Sequence, residues 1–317
     1  MKNIVCIGGA SIDHKLKSLA ALTPGTSNPV TSLTSFGGVA RNIAENLARW
    51  TQGIHLQCTV GDDAAGHQLL SFMKQLGVNI ENSLMLKTYA TSHYYAVLNK
   101  SGELSIALAD MSIYDHIPLT ALIQSWHHWP DNSIIFIDTN MPTFLIEYAK
   151  EQSKNKHHLL CIDPVSVPKA GKLPSSLDGV FLIKPNQQEA SALTDMPIFS
   201  IADCITAGRL LMKRGVKNSV ISLGEAGYVI INEAEEKHFP SIKIDQVQDV
   251  SGAGDAFFAG ILFGLQQNCN LQEACHVGAE AAAPTIQSLK SVADTISAHH
   301  LIHHIKKIKG STHANLF

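Results

Sequence analysis

Short unbroken apolar runs alternate with longer stretches of helical periodicity along most of this chain, and that alternation restricts the fold more than any other feature. Strands are expected at 4–7, 55–60, 134–138, 159–163, 180–183 and 219–223. Helices are expected between them, at 39–50, 64–76, 143–152, 201–214, 253–266 and 271–283. Most of the strand runs are continuous in Val, Ile and Leu, as strands buried on both faces require. The fold class implied is α/β: a doubly wound, mostly parallel sheet flanked by helices. All 317 residues are read as a single domain, long enough to bury a full core.

Two segments break the rhythm. Residues 14–36 mix Thr, Ser, Pro and Gly with short alternating pieces. Residues 88–112 hold two β-rich runs around Asn99-Lys100-Ser101-Gly102, a hairpin signal. Together they are expected to form a small β lid inserted in the α/β core. Such a lid would cover the carboxyl ends of the main strands, where open α/β sheets bind ligands.

Composition narrows the function classes. Hydrophobic residues make up 45% and the net charge is −3, so nothing points to a nucleic-acid or membrane-surface binder. The longest apolar stretch, 256–265, is about half of a membrane span. Six scattered cysteines without a CxxC pair read as reduced core residues of a cytoplasmic protein. The sixteen histidines are dispersed and HExxH is absent, which argues against a histidine-ligated metal.

Five junctions, four of them glycine-bearing, could carry chemistry. In Asp249-Val-Ser-Gly-Ala-Gly-Asp255, Gly252 and Gly254 permit unusual backbone angles before an apolar helix. The free amides and dipole of that helix start suit a phosphate, and Asp255 beside it could deprotonate an attacking hydroxyl. A plain glycine-rich helix start would look similar. Gly37-Gly38-Val-Ala-Arg-Asn42 enters an amphipathic helix and offers Asn42 to sugar hydroxyls, or is simply a loop-to-helix junction. In Lys184-Pro-Asn186-Gln-Gln-Glu189 the spacing is that of a capping box; the functional alternative sets Asn186 and Glu189 near magnesium. Ser222-Leu-Gly224-Glu-Ala-Gly227 is a turn able to touch phosphate or to lead a hairpin. Gly8-Gly9-Ala-Ser-Ile-Asp13 is not GxGxxG, which counts against a nicotinamide dehydrogenase; Asp13 could hold adjacent sugar hydroxyls.

In this order the motifs resemble the ribokinase-like (PfkB) carbohydrate kinase family over nearly the whole chain. The N-terminal strand ending at Asp13, GGVARN, VGDDAAGHQLLSFMKQLGV, LIKPNQQEA, ISLGEAG and DVSGAGDAFFAG carry the likeness. The resemblance implies an α/β core with a β lid, ATP as donor with Mg2+, and transfer to a sugar hydroxymethyl group. It makes Asp255 the base and the amides of Gly252, Ala253 and Gly254 an anion hole. Asp13, Gly38 and Asn42 would hold the sugar. Asn186, Glu189, Ser222, Gly224 and Gly227 would serve ATP and magnesium, with adenine near Gly278 and Ala282. A monovalent cation such as K+ at Asp249 is a further implication, and pairing of exposed lid edges into a homodimer is another. Pro284 departs from the pattern, since proline removes a helix hydrogen bond. The basic C-terminal tail reads as a solvated helix end.

Thr26-Ser-Asn28-Pro29, ATSHYYAVLNKSGELSIALADM and Ile162-Asp-Pro-Val-Ser166 with Lys169 resemble the pseudouridine-kinase branch of the family. Asn28 could pair with a uracil edge, and Tyr94 or Met111 could pack on its face. The alternatives are ribokinase or another nucleoside or sugar kinase and, in a different class, a non-catalytic nucleoside- or sugar-sensing protein.

Overall fold

The computed structural model describes residues 1–244 and 246–314. Its main sheet has eight strands in the order Glu236–Phe239, Tyr228–Ile231, Asn218–Ser222, Val180–Ile183, Leu159–Asp163, Ile134–Asp138, Ile4–Ile7 and Ile54–Gln57. The last six in that order run parallel, and the first two are added antiparallel. The strands Ile4–Ile7, Ile134–Asp138 and Leu159–Asp163 feed two cores by simple alternation. Ile134 and Phe136 join the cluster on one face, while Ile135 and Ile137 join the cluster on the other. That two-sided burial is why the strand sequences read as continuous apolar runs.

The helix Ala253–Gln266 is buried over its whole length from Ala256 onward. It lies close against Leu271–Ile286, and glycines allow this. A Cβ on Gly260 would come within 2.6 Å of Gly278 Cα, and one on Gly264 within 2.7 Å of Ala274 Cα. Leu271–Ile286 runs three residues past the expected end, with Pro284 in its last turn, where only one backbone bond is lost.

A second sheet has four strands in the order Val30–Gly37, Ser11–Ser18, Ser92–Leu98 and Leu104–Asp110. The expected hairpin at 99–102 is present, with Leu98 opposite Leu104. The lid begins earlier than expected: Gly8 and Gly9 end the first core strand, so Asp13 lies inside the lid strand Ser11–Ser18. Residues 55–60 do not form one strand. The chain leaves the main sheet after Gln57, and Thr59–Gly61 pairs instead with Leu84–Leu86. The C-terminal tail is more than a solvated end, because Leu301 and Ile305 of the helix Ala298–Ala314 pack into the core. All six cysteines are buried and unpaired. Among the described residues no helix is long and apolar enough to cross a membrane.

Candidate active site

Parallel strands end on one rim, and that rim gathers most of the motif residues. Asp138, Asp163, Lys184 and Ser222 terminate or directly follow four of these strands. Asp138 is fully buried and accepts from the amides of Gly9 (2.8 Å), Ala40 (3.0 Å) and Asn140 (2.9 Å). Burial pushes its carboxyl up, and the amides oppose that rise. One carboxylate thus ties the first glycine turn, the start of helix Val39–Trp50 and its own strand end together. The glycines make room for it: a Cβ on Gly8 would lie 2.3 Å from the Asp138 carboxyl. Tyr114 closes the same corner, its hydroxyl accepting from Ala10 N at 2.8 Å and donating to Ala10 O at 2.7 Å. Sequence reasoning missed Asp138 and Tyr114. An aspartate ending an apolar strand before Thr-Asn was the available signal.

Gly37 and Gly38 have separate jobs. A Cβ on Gly37 would fall 2.1 Å from the Asp13 carboxylate, so its absence makes space for that side chain. Gly38 has φ 96° and packs against Gly9 O, 2.4 Å from where its Cβ would be. The Asp13 carboxyl accepts from Ser11 Oγ at 2.9 Å, and burial raises it above the usual carboxylate range. Asn42 then joins the two ends of the site. Its amide N–H bonds Gly38 O at 2.8 Å, and its Nδ2 donates to Asp255 Oδ2 at 2.7 Å. Asn42 Oδ1 is buried and has no hydrogen-bond partner. Such an atom is costly unless something else donates to it.

Asp255 stands in the first turn of Ala253–Gln266, whose start carries Gly252 at φ 80° and no side-chain cap. The amide of Ala253 donates to Val250 O at 3.2 Å. Burial pushes the Asp255 carboxyl up to about 7; nearby Asp163 adds to the rise, whereas Asn42, Lys184 and Arg41 restrain it. Lys184 is buried, bonds Asp163 at 3.1 Å and lies 5.4 Å above the Phe258 ring. Burial alone would lower its ammonium, but Asp163, Glu189 and Asp255 outweigh that and hold it above its ordinary value. Lys184 and Asp163 were not singled out from sequence, because nothing local to either run announces the pair.

Asn186 and Glu189 form the capping box that the spacing suggested. Asn186 Oδ1 accepts from Glu189 N at 2.9 Å, and the Glu189 carboxylate accepts from Asn186 N at 2.9 Å and Asn186 Nδ2 at 2.8 Å. Ser222 bridges to Asn186 across the sheet. Gly224 and Gly227 shape a tight turn into Tyr228–Ile231, with φ of 59° and 94°. Among the described residues no three His, Cys, Asp or Glu side chains are grouped to hold a metal. The uncapped helix start and the Lys184 ammonium fit a phosphate chain; a direct protein cage for magnesium is not what these residues build.

The remaining candidates divide. Tyr94 pairs with Asp13 in register and so shares its face of the lid. Lys169 Nζ donates to Asn140 Oδ1 at 2.5 Å, which brings it to the Asp138 corner. Met111 packs at the edge of the core cluster that holds Tyr114. The Asn28 amide is taken up by its own loop, bonding Thr23 N, Thr23 O and Thr26 O, which is the turn reading. Gly278 faces Phe257 and Gly260 in the helix contact, and Ala282 packs on the core. An open pocket of about 490 Å³ lies just beyond, lined by Gln248, Pro284, Gln287 and Ser288 among others. The Asp249 carboxylate pairs with Lys15 of the lid and accepts from Ser251 N at 2.8 Å.

The sequence of residues 1–297 matches the model of the pfkB family of carbohydrate kinases. Pseudouridine kinase of Escherichia coli is 30% identical over 81% of this chain and 82% of its own length. Guanosine-inosine kinase of Exiguobacterium acetylicum is 26% identical over 92% of this chain and 96% of its own. The ribokinase of Arabidopsis thaliana, solved with ribose and ATP, superposes with a TM-score of 0.81 at 20% identity, over 96% of this chain and 99% of that one. A lid over a rim of strand ends, a carboxylate at an uncapped helix start and a family match across nearly the whole sequence converge: the chain belongs to the pfkB family of carbohydrate kinases and is a phosphotransferase acting on a sugar or nucleoside hydroxyl.

Proposed function

We propose that this kinase transfers the γ-phosphoryl group of ATP to the 5′-hydroxyl of pseudouridine, giving pseudouridine 5′-phosphate. The observation that carries the acceptor site is Asn42, whose Nδ2 holds Asp255 while its buried Oδ1 lacks a donor. A ribosyl hydroxyl set between Asp13 and Asn42 would supply that donor. Support for the pseudouridine assignment is the 30% identity to the Escherichia coli pseudouridine kinase. Local strings around Asn28, Tyr94 and Lys169 point the same way.

In this reading Asp255 accepts the proton of the attacking hydroxyl as the new O–P bond forms in line with the bond to the departing ADP. The amides of Gly252, Ala253 and Gly254, with the helix dipole, face the transferring group. Ala253 must give up its bond to Val250 to take part. Lys184 and its partner Asp163 fix the charge beside Asp255. Magnesium would arrive with the phosphates and neutralise their charge, reached from Asn186 and Glu189 through water. Gly224, Gly227 and Ser222 border the phosphate chain. The adenine is assigned to the open pocket at Pro284 and Gln287, one turn beyond Ala282, since Gly278 is occupied by helix packing. Six free, buried thiols suit a cytoplasmic setting. The exposed edge strand Leu104–Asp110 suits pairing with a second copy.

A second reading, a purine-nucleoside kinase, has its own support in the longer alignment to guanosine-inosine kinase. A panel of pseudouridine, uridine, inosine, guanosine, adenosine and ribose with ATP and magnesium separates them. Highest kcat/KM on pseudouridine is the expected result; preference for inosine or guanosine would replace it. Failure to turn over any acceptor would revive a sensing role.

A further inference from the structure

We propose that Lys15 is a built-in cation for the phosphate-facing loop: its ammonium, carried on the lid, supplies at Asp249 the positive charge that a bound monovalent ion would otherwise give. The inference rests on the reading that the loop 249–254 faces the transferring phosphoryl group. Lys15 Nζ is paired with Asp249 Oδ2 across 234 residues of chain. Both side chains are largely covered, 23% and 21% exposed, so the pair is shielded more than an open surface bridge.

Position explains what the pair does. Lys15 lies two residues after Asp13 on the strand Ser11–Ser18, hence on the same face of the lid. Asp249 lies three residues before Gly252. Its other oxygen accepts from Ser251 N at 2.8 Å, and the amides of Gln248 and Asp249 both reach Ile286 O, at 2.9 and 3.3 Å. The far side of the loop is pressed on Ser291 O, 2.0 Å from a Cβ on Gly252. The loop is therefore held by backbone on one side and by a lid lysine on the other. Closing the lid over the acceptor brings the charge that sets the amide loop, and an inorganic cation at the Asp249 carboxylate would have to displace that ammonium. Lys15 is a positioning residue in this scheme; it acts through Asp249.

The test compares wild type, Lys15→Met and Lys15→Arg at equal ionic strength in potassium chloride and in tetramethylammonium chloride. Amide hydrogen exchange over 246–254 is read without substrates, and kcat and KM for ATP are read with whichever acceptor of the panel turns over. Wild type and Lys15→Arg are expected to behave alike in the two salts, within about twofold. Lys15→Met is expected to exchange about three- to tenfold faster through the loop and to lose a similar factor in kcat, with potassium restoring part of both. Wild-type activity that collapses without potassium would overturn the proposal. So would a Lys15→Met enzyme that matches wild type in exchange and in salt response. If no acceptor turns over, the substrate assignment fails while the exchange comparison still decides the role of Lys15.

Discussion

The main sheet and the lid are built from similar β-rich sequence yet sit in opposite environments. Every residue of the strand Ile134–Asp138 is buried, and every residue of the strand Leu104–Asp110 is exposed. Leu104, Ile106 and Leu108 are all more than half exposed. The first strand is held by two helical layers and would remain in place without ligand. The second has one neighbouring strand and a free edge, so its order depends on cross-strand pairs alone. The difference teaches a division of labour. The sheet that bears Asp138, Asp163 and Lys184 is over-determined by packing, whereas the sheet that bears Asp13, Lys15 and Tyr94 ends in an exposed strand with a single strand neighbour.

The largest effect expected from a single change lies where the two regions meet. Asp255→Asn should retain ATP binding, read by calorimetry, and lose about 10²- to 10⁴-fold in kcat. Near-normal turnover would remove the proposed base and with it the meaning of the contact to Asn42. The same carboxyl predicts pH behaviour. Its native value is raised from 3.8 to about 7, so the base is mostly protonated below that pH, and kcat/KM should fall about tenfold per unit as pH drops below 7. The stability sign is the opposite. A raised carboxyl contributes stability at low pH that is lost as pH rises through the folded value. Asp255→Asn should therefore gain on wild type in urea melts between pH 3.8 and about 7, then hold a constant advantage. An advantage that shrinks with rising pH would show that the carboxyl is not held in this environment.

The next prediction tests the rigid side. Phe136 is fully buried and meets Phe258 edge-on at 5.1 Å, so Phe136→Ala should cost about 3–5 kcal/mol in chemical denaturation. Gly38→Ala should cost less, about 1–3 kcal/mol, because it forces φ 96° on a residue with a Cβ and crowds Gly9 O. It should also raise the acceptor KM, since Asn42 hangs from Gly38 O. The smallest effect belongs to the lid. Ile106→Ala, at a position 52% exposed, should change stability by under about 0.5 kcal/mol. A larger loss that grows with protein concentration, followed by sedimentation, would mean that the edge strand is covered by a second copy and that the contrast between the sheets holds only for the single chain.

The sequence carried the core far better than the lid, for a physical reason. Strands buried on both faces must be unbroken apolar runs, and four of them, Ile4–Ile7, Ile134–Asp138, Leu159–Asp163 and Val180–Ile183, have the bounds that pattern implies. Helix Val39–Trp50 and helix Ala253–Gln266 were equally legible, one from its apolar stripe and one from being apolar all round. The glycine motifs were visible too, because a backbone that needs positive φ or close approach leaves glycine in the sequence, as at Gly38 and Gly252. Periodicity alone could not say that the run 55–60 divides between two sheets. It also could not say that Asp13 belongs to the lid, or that the tail buries Leu301 and Ile305. Those outcomes depend on which neighbour each segment meets. Contacts that cross the chain left no local mark of their partners: the buried Lys184–Asp163 pair, the Gly9 and Ala40 amides on Asp138 and the lid lysine at Asp249 join residues 21, 98 or more, and 234 positions apart. Local geometry and burial pattern are written into neighbouring residues, whereas the charge environment of Asp255 is made only when two strand ends and two helix starts converge.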